Sequence, residues 1–158
     1  MASLRNVLEQ HLAHQVYAFY DEEDPAAVVQ DVFTRVMVID SRKISDSTII
    51  LVNDDAGSSI DYQIFGSNKF VDIDNSPAVE IPLPETVAPA VADPSWFNLL
   101  SADPHDNSTL KTIPAKTALV GWACETFSNK WAFVQILAKT SKVGGSTAKI
   151  SHRGTNTH

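Results

Sequence analysis

The sequence predicts a mostly β protein: an antiparallel β-sandwich, jelly-roll-like, preceded by a short N-terminal helical arm. Three observations lead there. Residues 60–66 (Ile-Asp-Tyr-Gln-Ile-Phe-Gly) alternate apolar and polar side chains, the two-residue period of a strand with one face on a core. Residues 32–40 and 48–52 are rich in β-branched side chains. About eight such short runs are separated by clusters of Gly, Asn, Asp and Ser, the texture of a sandwich rather than of helices alternating with strands. A length of 158 residues fits one domain with a surplus, and the surplus lies at the N-terminus.

The elements follow in chain order. Leu4, Val7, Leu8 and Leu12 recur at helical spacing behind Ser3, a suitable N-cap, and predict about three turns of amphipathic helix. An aromatic stretch with Tyr17, Phe19 and Tyr20 comes next, as strand or extended arm. Asp21-Glu22-Glu23-Asp24-Pro25 reads as a solvated hinge, because four acids and a proline do not continue an apolar element. The expected division is therefore residues 1–25, arm and hinge, and residues 26–158, sandwich.

Within the sandwich, residues 48–52 are apolar on both faces and predict a central strand. In residues 60–66, Ile60, Tyr62 and Ile64 are expected inward and Asp61 and Gln63 outward. Five of the eight prolines fall between residues 75 and 94, which predicts a long extended insertion. A short strand at residues 96–100 precedes two β-runs, 117–127 and 131–139, joined at Ser128-Asn129 as a hairpin. Lys142-Val143-Gly144-Gly145 is a turn, residues 147–151 a last short strand, and residues 153–158 a polar tail. No internal repeat is present.

Charge and composition narrow the function. The net charge is −7 and the basic residues are scattered, so no nucleic-acid surface is expected. No apolar run approaches the ~20 residues that cross a membrane. Met1 to Asn6 lack the basic-then-apolar layout of a signal peptide, so synthesis in the cytosol is expected. The one cysteine, Cys124, sits beside Trp122 and Ala123 and reads as a buried thiol.

Chemistry-bearing patterns are sparse. His11 and His14 share a helical face but have no acidic or cysteine partner beside them, and read as solvated polar residues rather than metal ligands. His105 lies in a loop composition, His152 in the last strand and His158 in the tail. No nucleophile-elbow, phosphate-loop, dinucleotide or cysteine-zinc pattern occurs. The loops Asn53-Asp54-Asp55 and Asp72-Ile73-Asp74-Asn75 are oxygen-rich enough for calcium, yet such side chains populate turns for backbone reasons alone. Trp96, Trp122 and Trp131 are read as core in preference to a sugar platform. No catalytic residue, cofactor or metal is expected.

Residues 48–53, the segment from Ile60 to Phe70 with its Ile-x-Tyr-x-Ile-x-Gly-Ser strand, an exposed loop and a Trp-bearing strand, then the strand Trp131 to Ser141 and the closing segment Gly144 to Ile150 read like a recurring sandwich pattern. Over residues 32–152 the chain resembles small structural proteins of tailed viruses (phages), whose sandwiches are similar to discoidin-like domains. The resemblance implies a non-enzymatic virion component, made in the host cytoplasm, that decorates a capsid or builds a tail as an oligomer. Its partners would be copies of itself and other virion proteins, with Leu4, Val7, Leu8, Leu12, Tyr17, Phe19 and Tyr20 as the assembly arm. The alternative is a carbohydrate- or receptor-binding module, with a surface glycan as its ligand.

Overall fold

The computed structural model describes residues 18–68, 96–106 and 108–156. The expected helix with Leu4, Val7, Leu8 and Leu12, and with it Tyr17, His11, His14, the Asp72–Asn75 loop, the expected proline-rich insertion and His158, lies outside the described residues. Nine strands are described: β1 Ala18–Val29, β2 Thr34–Asp40, β3 Asp46–Asn53, β4 Ile60–Ser67, β5 Trp96–Asn98, β6 Lys111–Ile113, β7 Trp122–Ser128, β8 Phe133–Thr140 and β9 Ser146–Asn156. They form two antiparallel sheets. The first runs β1-β9-β3-β7; the second runs β2-β8-β4-β5, with β6 also paired to β4.

The two sheets share one apolar cluster. Val29, Ile49, Leu51 and Ile150 enter it from the first sheet, and Ile39, Ile60, Tyr62, Ile64 and Ile136 from the second. Each fully buried aliphatic side chain contributes about 1.5–3 kcal/mol to the folded state. Ile60, Tyr62 and Ile64 point into this core as their alternation requires. Gln63 differs from the expected exposed position. It faces away from the main core but is buried, and its Nε2 donates to Thr109 O at 3.1 Å. The second sheet is apolar on that face too, where Phe33, Phe65, Trp96, Phe133 and Leu137 cluster. This explains why β8 is buried at nearly every position.

Four expectations are corrected here. The acidic run is not a hinge: Asp21, Glu22, Glu23 and Asp24 lie within β1, opposite Arg153, His152, Ser151 and Ile150 of β9. An edge strand tolerates acids because one of its margins is solvated. Pro25 falls where the β1–β9 register shifts between Asp24 and Ala27, and in that bulge Ala26 N–H is met by Asp24 Oδ1 at 3.0 Å. β9 is correspondingly longer than expected, extending through Asn156, so most of the polar tail is strand.

The proposed 117–127/131–139 hairpin does not form. β7 pairs with β3 in the first sheet and β8 with β2 and β4 in the second, so the 129–132 connection passes from one sheet to the other. Residues 117–121 are not strand. Finally, β3 is central by pairing, with β9 and β7 on either side, but only one of its faces is covered: Ile49 and Leu51 are buried while Ile50 is exposed.

Candidate interaction surface

The residues that carry chemistry are dispersed or engaged. Among the described residues no group of three or more His, Cys, Asp or Glu converges as metal ligands would. His105 is exposed on its loop, its ring 5.1 Å from that of Phe97 in an edge-on contact. His152 is buried, with Nε2 2.9 Å from Ser47 Oγ, and Asn129 Nδ2 donates to the same hydroxyl at 2.7 Å. A serine beside a histidine is the start of a nucleophilic pair, but Ser47 is itself buried and closed to a substrate. The pair ties β3 to β9 and to the 129–132 connection. Sequence spacing gave no sign of it, since its members are 105 residues apart.

The oxygen-rich loop after β3 is occupied by its own neighbours. Asn53 is buried and its amide donates to Ser58 O at 2.7 Å and to Pro114 O at 3.0 Å. Lys116 pairs with Asp54 at 2.7 Å, and Lys142 with Asp55 at 2.6 Å. Asp55 Oδ1 also accepts from Gly57 N–H at 2.7 Å, an Asx turn. The Lys142 contact, followed by the Gly57 N–H, holds the Asp55 carboxyl down at about 2. This loop and the Lys142–Gly145 turn, with positive φ at Gly144 and Gly145, meet at one end of the two sheets.

At one margin of the core Tyr62 Oη donates to Glu125 Oε1 at 2.6 Å, and Lys111 Nζ donates to both Glu125 oxygens at 2.7 and 2.8 Å. Burial, and then Glu125, push the Tyr62 phenol well above its usual range. β4, β6 and β7 meet in this one contact, so it links the second sheet to the first.

Exposed apolar side chains gather around β7. β7 alternates strictly, turning Ala123, Glu125 and Phe127 inward and Trp122, Cys124 and Thr126 outward. Cys124 is therefore exposed, against the expected buried thiol. Trp122 is likewise not core: it is 61% exposed. The expectation failed because β7 is a sheet margin with one solvated face, and a tryptophan beside a cysteine carries no signal of which face it takes. The register places Trp122 beside Val52 and Cys124 beside Ile50, so all four lie on the outer face of the first sheet. Leu119 (87% exposed) and Val120 immediately precede β7. Toward β1, the same face dips into a depression of about 360 Å3 whose lining includes Glu23, Thr48, Ile50, Ser151 and Arg153. Large apolar groups gathered on one face are the mark of an interaction surface.

The other two tryptophans divide. Trp96 is buried with Phe65 and Phe133. Trp131 is half-buried at the opposite end of the sheets from the Asp55 loop, stacked on Phe97 with ring centroids 4.6 Å apart. Gly66 makes room for it, since a Cβ there would overlap the indole. Of the expected arm residues, Phe19 and Tyr20 have backbone placed in β1, opposite Thr155 and Gly154 of the chain's own β9. No protein-family model matches the chain, and no curated protein matches it.

Proposed function

We propose that this protein is a non-enzymatic structural component of a tailed-virus particle, a capsid decoration or tail protein that works by assembling with copies of itself and with other particle proteins. In this reading its two sheets are a jelly-roll-like β-sandwich and its first residues a helical assembly arm. The observation that carries the assembly reading is the outer face of the first sheet, where Ile50, Val52 and Trp122 leave apolar surface toward solvent, with the exposed Leu119 and Val120 in the segment that leads into β7. A free monomer gains nothing from a tryptophan there, whereas a subunit interface buries it at a gain of a few kcal/mol. The placement in a virus particle comes from the sequence resemblance over residues 32–152. Light scattering on the native protein tests the reading: a homo-oligomer of defined mass is expected, and a monomer that persists at high concentration overturns it.

A second reading, a carbohydrate- or receptor-binding module, is favoured by one observation. Trp131, Phe97 and His105 gather aromatic rings at one end of the sheets, where a sugar face can stack. A glycan-binding screen with native protein and Trp131→Ala separates it from assembly: binding lost in the variant supports it, and no binding by either removes it.

A further inference from the structure

We infer that the outer face of the first sheet is the seat for residues 4–12 of a second copy, exchanged between subunits; the inference rests on the assembly reading above. The face offers an apolar strip from Ile50 to Trp122, with the depression beside Thr48 and Ser151 leading into it from the β1 side. The occupant is named by the chain itself. Leu4, Val7, Leu8 and Leu12 form an apolar stripe at helical spacing, and a three-turn helix is marginal in water without a surface to cover. From Leu4 to Leu12 a helix rises about 12 Å. Ile50 and Trp122 lie one strand and two residues apart, a separation of roughly 8 Å that such a helix spans.

The direction of the chain decides between its own sheet and a neighbour's. β1 begins at Ala18 at the margin of the first sheet, where Ala18 pairs with Asn156. To lie on its own outer face the chain would have to reverse between Leu12 and Ala18. The intervening Ala13-His14-Gln15-Val16-Tyr17 contains none of the Gly, Pro, Asn, Asp or Ser residues that make reversals; indeed residues 4–20 contain no Gly, Pro, Asp or Ser at all. A stripe continued in the direction of β1 without a turn would be carried beyond its own sheet and onto the next subunit. Each copy then gives one arm and receives one, either reciprocally within a two-fold dimer or head to tail around a ring or along a tube.

Cys124 makes the test direct, because it is the only cysteine and lies exposed on the receiving face beside Ile50. Chains carrying Leu8→Cys together with Cys124→Ser are coexpressed with unsubstituted chains, and the purified full-length mixture is oxidised. A disulfide joining residue 8 of one chain to residue 124 of another is expected in a large share of chains. It should fall at least tenfold when the receiving chain carries Trp122→Glu, an exposed position whose change leaves the core intact. In a single chain carrying Leu8→Cys with Cys124 present, an intrachain 8–124 disulfide that persists on dilution overturns the exchange. A defined oligomer with no 8–124 link overturns this inference and leaves the assembly reading standing; a monomer at all concentrations overturns both.

Discussion

At the residue scale, two positions, Asp55 and Gly66, show how single residues fix their surroundings. Asp55 is bound by Lys142 Nζ and by the Gly57 N–H, so it clamps the loop after β3 to the turn before β9. Its carboxyl, held at about 2, lies below the ordinary value near 3.8. A carboxyl depressed by folding contributes stability that is complete above its unfolded pKa and is lost as pH falls through the folded one. Carbon-13 NMR should find the Asp55 titration centred near pH 2. Lys142→Met should raise that midpoint only part of the way back, because Gly57 still donates. Gly66 is a steric position rather than a conformational one. Its missing Cβ is what lets the Trp131 indole lie against β4. Gly66→Ala should cost about 1–3 kcal/mol in chemical denaturation, and the same change in a Trp131→Ala background should cost far less. Equal losses in both backgrounds would mean that Trp131 is not the obstacle.

At the scale of elements, the sequence was legible wherever a strand has one wet and one dry face. The alternation of Ile60, Tyr62 and Ile64 gave β4 and its inward set, and the β-branched runs gave β2 and β3 to within a few residues. It was silent where pairing partners are remote. β1 was hidden because its acids serve a solvated margin and its proline a bulge, features that in isolation describe a hinge. β7 and β8 read as a hairpin because they adjoin in sequence, yet every step between consecutive strands except β4–β5–β6 passes from one sheet to the other. The candidate surface was hidden for a related reason: nothing local to Trp122 or Cys124 tells which way β7 turns. The Tyr62–Glu125–Lys111 contact was equally invisible, because it joins three strands of two sheets. Tyr62→Phe removes a hydrogen bond to a charged acceptor while Lys111 still satisfies Glu125, so a loss of about 1–2 kcal/mol is expected in thermal or urea unfolding. The sign of the pH effect is opposite to that of Asp55. A phenol pushed up by burial keeps its full contribution below the ordinary value of about 10 and loses it as pH rises through the folded value. Ultraviolet titration should therefore show one tyrosine ionising later than the others, and that late component should vanish in Tyr62→Phe.

At the scale of the whole molecule, the first sheet's two faces differ: the inner face closes the core, and the outer face, the proposed seat for a partner, carries exposed apolar side chains. That division makes two N-terminal truncations differ in kind. Deleting residues 1–17 removes no strand described here, and every pair of the β1–β9 ladder from Ala18 to Asn156 survives. Deleting residues 1–24 strips β9 of its partners from Ala18 through Asp24 and exposes the backbone of β9 over Ile150–Asn156 on that side. Unpaired backbone on a newly bared strand both destabilises and invites pairing with other chains. The shorter deletion should thus leave the unfolding midpoint of the body nearly unchanged while reducing the mass seen by light scattering to that of one chain. The longer deletion should lower the midpoint and promote aggregation. An unfolding midpoint that drops as far on removal of residues 1–17 as on removal of residues 1–24 would assign the arm to its own core. An oligomer that survives the shorter deletion intact would assign assembly to the strand margins rather than to an exchanged helix on the Trp122 face.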